Sequence, residues 1–237
     1  MRNLLVRREE ESRLDMRRAK SSIRELSWVG YTLWRRARQR VLALKRAFIR
    51  PQLPLNADGK VRIHLGCGDI ASPEFINVDA RPAPHVHYVC DVTDLPMFPE
   101  NYADLVYACH VLEHVQHRAL KRTLWEWRRV LKPGGILRLS VPDFDKILYM
   151  YQSCGRDIQS ILSPLMGGQE YLHNTHYSAF NYAYLSERLS EVGFHEIRAW
   201  DACCVENHDF EDWASRHIER DGTRFGISLN VEAVKVV

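Results

Sequence analysis

Long apolar runs are absent from this chain, and so is the apolar segment that a secretory leader needs. Charged residues interrupt every stretch before it reaches the roughly 20 apolar residues that a helix needs to cross a bilayer. Residues 7–11 read Arg-Arg-Glu-Glu-Glu, where a signal peptide would carry its apolar core. We therefore expect a cytoplasmic protein without a membrane-spanning helix.

Paired cysteines and clustered metal ligands are missing as well. The six cysteines show no Cys-x-x-Cys spacing and no small disulfide framework, so we expect reduced thiols. No internal repeat is visible. No compact group of carboxylates suits an octahedral magnesium site, and the acidic stretch from His208 to Asp212 has no ligand spacing. We therefore predict that no metal is bound.

Net positive charge is confined to the first fifty residues. Residues 1–50 hold fifteen Lys or Arg against five Asp or Glu, although the whole chain has a net charge of only +3. From residue 21 to residue 50, apolar residues that include Trp34 recur at helical spacing, with Arg and Lys on much of the remaining surface. The pattern predicts a basic amphipathic helix.

This helix has several possible partners. It can lie on an anionic membrane surface, or it can pack its apolar stripe on its own domain or on a partner subunit. Nucleic acid is disfavoured, because the acidic remainder has no matching basic groove. We predict residues 1–50 as a basic helical extension and residues 51–59, which contain two prolines and a glycine, as a linker.

A pair of closely spaced glycines is the most informative local feature. The apolar residues 61–65 run into Gly66-Cys67-Gly68, where the backbone can pass close to a ligand. A second apolar run follows and ends in Asp79, an acid that can accept hydrogen bonds from the two hydroxyls of a ribose. This order predicts a nucleoside-binding site.

Three further strands and a helix are predicted downstream. The third strand begins at residue 88 and ends in Asp91, and the fourth, residues 103–110, opens into Leu-Glu-His-Val. A helical run with Leu124 and Trp127 on its apolar face stops at the Lys-Pro-Gly-Gly of residues 132–135. Residues 136–143 form the fifth predicted strand.

In this order and at these spacings, the segments resemble the class I S-adenosylmethionine (SAM)-dependent methyltransferases, most closely those of type 11. The resemblance covers about residues 60–145 and continues more weakly to the end of the chain. It implies an α/β, Rossmann-like, doubly wound fold with helices on both faces of a mostly parallel seven-stranded sheet, whose last strand is antiparallel. The methyltransferase domain would comprise residues 60–237. Residues 153–181 read as an irregular, polar and aromatic insertion that would cover the substrate.

The resemblance also implies which residues bind SAM. They are Gly66, Cys67, Gly68, Asp79, Asp91, Val92 and His110. The glycine loop would pass under the methionine part, the first acid would hold the ribose hydroxyls, and the second acid with the following backbone would face the adenine. The histidine at the end of the fourth strand would lie near the sulfonium and the incoming nucleophile.

Two positions depart from the pattern, and several residues have a structural alternative. His64 stands where an acid often precedes the loop, and Ile70 replaces a third glycine. The two acids could instead cap helices that follow their strands. Glu113 could favour the positive end of a helix dipole, and His114 could be a partly buried structural histidine.

A hydroxyl acceptor would need a group that removes its proton, and histidine suits that task near neutral pH. We predict His110 and His176 as the catalytic histidines, with His173 on the same insertion as a further candidate.

Several C-terminal segments, at residues 167–169, 174–176 and 228–233, resemble small bacterial methyltransferases associated with surface polysaccharide biosynthesis. That resemblance implies a sugar hydroxyl or sugar-linked group of a glycan or its precursor as acceptor, at the inner face of the membrane. The alternatives are a methyltransferase of a small metabolite or a protein side chain, and a non-catalytic SAM-binding scaffold.

Overall fold

The computed structural model describes residues 51–171 and 173–236. The predicted extension at residues 1–50 therefore lies outside the described residues. Residues 51–59, the predicted linker, contain no helix or strand. The strands are β1 Arg62–Leu65, β2 Phe75–Asp79, β3 Tyr88–Val89, β4 Ala103–Cys109, β5 Leu131–Pro142, β6 Phe194–Ala199, β7 His217–Arg220, β8 Thr223–Gly226 and β9 Ser228–Lys235.

Most helices are short. The α-helices in the described ranges are α1 Leu120–Val130, α2 Phe144–Ser153, α3 Leu162–Met166 and α4 Tyr182–Glu191, and single 3₁₀ turns occur at Leu112–His114, His117–Ala119 and Ile158–Ser160. Among these residues, no helix combines the length and the apolar character that a bilayer crossing requires. The insertion at 153–181 is largely irregular, as predicted, but it contains α3 and one 3₁₀ turn.

Seven strands form one sheet in the order β3-β2-β1-β4-β5-β9-β6, and β7 and β8 form a separate hairpin. Strands β1 to β5 are parallel to their neighbours, whereas β9 runs antiparallel between β5 and β6. The predicted Rossmann-like fold with its antiparallel last strand is thus confirmed. Leu65 pairs with Val78 and with Ala108, so β1, β2 and β4 end at the same edge of the sheet.

One face of the sheet carries the larger core. The buried residues of α1 recur every three or four positions, at Leu120, Leu124 and Trp127, so this helix presents one apolar stripe to the sheet. Trp127 also donates from its indole nitrogen to the carbonyl of Val92 at 2.8 Å. The predicted helix therefore holds the segment that follows β3 in place.

Aromatic and polar side chains fill a second cluster on the sheet. His64 is 1% exposed and stacks on Phe210, beside Phe75 and Tyr107. The Tyr107 hydroxyl donates to the buried Asp212. His64 therefore belongs to this buried cluster and is not on the wall of the cavity described below.

The connections between the first strands contain no helix. Residues 66–74 link β1 to β2, and residues 80–87 link β2 to β3, through turns alone. No helix follows Asp79 or Asp91 before β4 begins. The alternative interpretation of these two acids as helix caps is therefore wrong.

Candidate active site

Both loop glycines adopt left-handed backbone conformations, but for different reasons. Gly66 has φ of 63°, and a Cβ there would lie 2.3 Å from Cγ2 of Val111. Gly68 has φ of 58°, and a Cβ there would meet nothing closer than an Arg81 nitrogen at 3.6 Å. A side chain at Gly66 is thus excluded by contact as well as by backbone strain, because the loop runs directly beside the segment after β4.

Asp79 fastens this loop to the tip of β2. One carboxylate oxygen accepts from the backbone nitrogen of Gly68 at 2.8 Å, and the other accepts from the backbone nitrogen of Arg81 at 2.7 Å. The carboxylate is 6% exposed and still reaches the wall of a cavity. Arg81 Nε also donates to the second of these oxygens at 3.4 Å. Because a carboxylate oxygen has two lone pairs, the oxygen bound to Gly68 retains capacity for a further donor such as a ribose hydroxyl.

A cavity of about 650 Å³ opens at the carboxyl edge of the sheet. Five of the seven predicted SAM-binding residues line it, namely Gly66, Asp79, Asp91, Val92 and His110. The other two, Cys67 and Gly68, are not on its wall. The Cys67 side chain is buried, and burial raises the pKa of its thiol.

These residues fit SAM. The cavity volume lies within the range of small-molecule sites, roughly 300–1,000 Å³. Gly66 presents bare backbone to the cavity, and the carboxylate of Asp79 lies at the end of β2. A second, exposed carboxylate follows β3, where Asp91 accepts from the backbone nitrogen of Thr93 at 2.9 Å. The set combines a glycine cradle with two acids along one wall.

His110 directly follows β4 and lies on the cavity wall. Its Nε2 is 2.8 Å from the hydroxyl oxygen of Ser228. That hydroxyl donates its hydrogen to the carbonyl of Trp213 at 2.6 Å. Nε2 of His110 must therefore be the protonated donor. Its Nδ1 lies 3.3 Å from a carboxyl oxygen of Glu113, and burial lowers the pKa of His110 to about 3. This ring is neutral, with its lone pair on Nδ1.

Glu113 lies in the 3₁₀ turn after β4 and is fully buried. Neither of its carboxyl oxygens has a hydrogen-bond partner within the described residues. Burial raises its pKa to about 8. The carboxyl is therefore protonated at neutral pH unless a positive charge lies beside it. Glu113 lies in a three-residue 3₁₀ turn and not at the start of an α-helix, so the suggested interaction with a helix dipole does not apply.

Two histidines approach Glu113 besides His110. Nε2 of His176 lies 3.9 Å from the same carboxyl oxygen, and burial lowers the pKa of His176 to about 4. The ring of His114 lies 5.0 Å from that of His176, centre to centre, and its Nδ1 donates to the carbonyl of Thr175 at 3.0 Å. The fold thus brings both predicted catalytic histidines to one buried carboxyl, although only His110 is on the cavity wall. The alternative candidate, His173, is exposed on that wall.

Other residues of the site were not found by sequence reasoning. Ser228 orients His110 across 118 positions of the chain. The guanidinium of Arg81 stacks on the ring of Tyr171 at 4.9 Å, which places the insertion against the cavity wall. The position of Arg81 two residues after the strand-end acid was the only available signal. Nothing near Ser228 in the sequence points to the histidine.

Comparison with protein families gives one match. Residues 65–139, about a third of the chain, match the type 11 family model described as a methyltransferase domain. The matched segment contains the glycine loop, both strand-end acids and the turn that carries Glu113. No curated protein matches the chain.

Several solved structures are similar. A SAM-dependent methyltransferase from Archaeoglobus fulgidus is 16% identical over 85% of this chain and 94% of its own, with a TM-score of 0.46. The 1,6-didemethyltoxoflavin-N1-methyltransferase of Burkholderia thailandensis, solved with its substrate and S-adenosylhomocysteine, is 16% identical over 88% and 83%, with a TM-score of 0.48. Since both scores are below 0.5, we base no conclusion about this chain on either protein.

The family match and the seven-stranded sheet agree with each other. The match runs from the last residue of β1 into β5 and includes all of β2, β3 and β4. Residues at the carboxyl ends of these strands line the cavity. Residues 65–139 are therefore similar to a methyltransferase domain and form part of a Rossmann-like sheet, and the cofactor that they indicate is SAM.

Proposed function

We propose that the protein transfers a methyl group from SAM to an oxygen of a sugar-containing acceptor, either a hydroxyl or a sugar-linked group of a bacterial surface glycan or its precursor. The observation that carries this proposal is the histidine-rich wall of the cavity, where His110, His114 and His173 lie together beyond the end of β4. Imidazoles suit the removal of a hydroxyl proton near neutral pH.

SAM supplies an activated methyl group when it is bound. The chain's own tasks are to hold SAM, to orient the acceptor and to receive a proton. In our proposal Gly66 and Asp79 hold the methionine and ribose parts of SAM, with Cys67 and Gly68 shaping the loop. Asp91 and the backbone of Val92 face the adenine.

His110 is our proposed proton acceptor. Ser228 fixes the hydrogen of the ring on Nε2, so the proton would add at Nδ1, where the carboxylate of Glu113 at 3.3 Å would stabilise the resulting positive charge against the effect of burial. His176 is not on the cavity wall. We assign it a positioning role through Glu113, whose carboxyl oxygen lies within 4 Å of both rings.

The rest of the wall supports a polar acceptor. Hydrogen-bonding side chains contributed by Thr93, Gln116 and Tyr177 line the cavity. A site built from such groups favours a ligand with several hydroxyls, because an apolar ligand would leave them without partners. This is our reason for preferring a sugar to an apolar metabolite.

We also propose that the reaction takes place in the cytoplasm, at the inner membrane face, with the basic pattern of residues 21–50 in contact with anionic lipid or with a partner subunit. Flotation of the full chain with anionic vesicles tests the lipid contact. The variant in which Arg35, Arg36 and Arg38 are changed to Gln should float less, and equal flotation would contradict lipid binding.

The acceptor is tested by incubating the full chain with radiolabelled SAM and fractionated bacterial glycan, lipid, peptide and metabolite pools. The label should enter glycan and survive acid hydrolysis as an O-methyl sugar. Label in a peptide or an amine would contradict the acceptor while leaving the SAM chemistry intact.

A matched pair of variants controls this experiment. Asp79→Ala should abolish transfer because the carboxylate that ties the loop to β2 is lost. Asp94→Ala alters an exposed acid that is not on the cavity wall and should transfer normally.

A further inference from the structure

Glu113, His114 and His176 form a compact group beside the cavity. One ligand atom from each of the three lies within 4.8 Å of the others. A carboxyl oxygen of Glu113 lies 3.9 Å from Nε2 of His176. Glu113 and His114 share one 3₁₀ turn after β4, whereas His176 comes from the insertion more than sixty residues later.

Backbone carbonyls fix the orientation of the two rings. Nδ1 of His114 donates to the carbonyl of Thr175 at 3.0 Å, and the carbonyl of His110 also interacts with this ring. The neutral ring then carries its lone pair on Nε2. The carbonyls of Pro164 and Leu165 interact with the ring of His176, while its Nε2 faces Glu113. Histidines that bind metal ions characteristically donate their other ring nitrogen to a carbonyl or carboxylate in this way.

Glu113 provides an independent observation. Its side chain is fully buried, and within the described residues both oxygens lack a hydrogen-bond partner. The neighbouring Nδ1 of His110 and Nε2 of His176 face it at 3.3 and 3.9 Å. Because both rings are neutral, either a proton or a metal cation must lie between the carboxyl oxygen and the nitrogen lone pairs that face it.

The tether between the turn and the insertion keeps this group together. The backbone nitrogens of Tyr177 and Ser178 both donate to the carbonyl of Glu113, at 2.8 and 3.1 Å. The Ser178 hydroxyl donates to the carbonyl of Val115 at 2.8 Å. His176 is thus held beside Glu113 by its neighbours in the chain, independently of any contact that its own ring makes.

The donor set indicates the kind of ion. Two imidazoles and one carboxylate form the protein ligands of catalytic zinc sites and of iron(II) sites, whereas magnesium and calcium prefer oxygen ligands. Two ligands bound to one zinc ion at tetrahedral angles lie roughly 3.3 Å apart. The 3.9 Å separation between His176 and Glu113 therefore requires a small adjustment, and the other pairs, which lie within 4.8 Å, must approach by up to about 1.5 Å.

We propose that Glu113, His114 and His176 bind a first-row divalent cation of the zinc or iron(II) type, with an open coordination position toward the cavity. His114 lies on the cavity wall, so the open position faces the acceptor. An acceptor hydroxyl bound there would lose its proton more readily, and this role rests on the proposed function. The proposal differs from the expectation of no metal, which considered only groups of carboxylates.

Cobalt(II) is the probe for this site. The full chain, stripped of metal with a chelator, should bind one equivalent of Co²⁺ with visible absorption bands, and Zn²⁺ should displace it while Mg²⁺ should not. His114→Gln and His176→Gln should each weaken Co²⁺ binding at least tenfold. Glu113→Gln should do the same, and circular dichroism reports whether this buried variant is folded.

His117→Ala is the matched control, because His117 is exposed three residues after His114 and is not part of the group. It should bind Co²⁺ like the unaltered chain. Absence of stoichiometric Co²⁺ bands, or equal binding by the His114 and His176 variants, would overturn the proposal.

Calorimetry with SAM on the same samples separates this proposal from the proposed function. SAM binding without Co²⁺ binding would reject the metal site alone. Co²⁺ binding without methyl transfer to any glycan fraction would reject the proposed acceptor and leave the metal site standing.

Discussion

The two loop glycines permit a sharp comparison of alanine substitutions. Gly66→Ala and Gly68→Ala each place a side chain at a left-handed position, which costs about 1 kcal/mol. Only Gly66→Ala also forces a methyl group to within 2.3 Å of a Val111 methyl, and such overpacking costs about 2 kcal/mol more. We therefore expect losses in the free energy of unfolding of about 3 kcal/mol for Gly66→Ala and about 1 kcal/mol for Gly68→Ala.

Urea denaturation of the full chain, followed by tryptophan fluorescence, measures both losses. The double variant Gly66→Ala with Val111→Ala removes the methyl group that would be struck. Its loss in the free energy of unfolding should be about 1 to 2 kcal/mol smaller than the sum of the losses of the two single variants. Calorimetry should show SAM affinity reduced more than tenfold in Gly66→Ala and partly restored in the double variant.

Two results would refute this reasoning. The first is equal destabilisation by the two alanine substitutions, which would mean that the contact with Val111 contributes nothing. The second is strict additivity of Gly66→Ala and Val111→Ala, which would mean that the two residues do not touch.

Three further predictions concern buried groups. Burial lowers the pKa of His64 from 6.5 to about 3. Between these pH values the unfolded state therefore binds one more proton than the folded state, and the free energy of unfolding falls as the pH drops. His64→Phe should reduce the slope of the unfolding free energy against pH in this window by about 1.4 kcal/mol per pH unit. Glu232→Gln should cost about 3 kcal/mol in urea unfolding, because the buried Arg138 loses the carboxylate to which it donates at 2.8 Å. Iodoacetamide should label Cys203 in the folded protein but Cys67 only after unfolding, since burial raises the pKa of the Cys67 thiol.

Each of these predictions has a contrasting outcome. An unchanged pH slope in His64→Phe would show that this ring titrates normally in the folded protein. The exposed carboxylate of Glu187 beside Arg188 is the control for Glu232, and Glu187→Gln should cost less than about 1 kcal/mol. Labelling of Cys67 at the rate of Cys203 in the native protein would contradict the burial of the loop.

Local patterns in the sequence were sufficient for most of the fold. The apolar stripe of α1 depends on neighbouring residues and could be predicted directly, whereas the mostly parallel sheet with its antiparallel last strand was implied by the family resemblance. The β7–β8 hairpin was not predicted, because its strands are four residues long and largely exposed. The expectation that residues 153–181 are irregular missed α3 for the same reason, since five residues show little periodicity.

The surroundings of the candidate catalytic residues could be predicted less well. His110 was placed at the end of β4 from the strand pattern, but its partner Ser228 is contributed by β9 through sheet pairing. The neighbours of Glu113 come from an insertion without regular periodicity. Because such contacts depend on tertiary packing, the sequence alone suggested a helix-dipole role for Glu113 and no metal site.

The central claim is that the cavity at the carboxyl edge of the sheet is the SAM site. A crystal structure of the full chain grown with S-adenosylhomocysteine tests it most directly. We predict that the ribose hydroxyls bind the carboxylate of Asp79, with the adenine beside Asp91 and Val92 and the loop glycines against the amino-acid part. A ligand bound elsewhere, or a ribose that makes no contact with Asp79, would contradict the account.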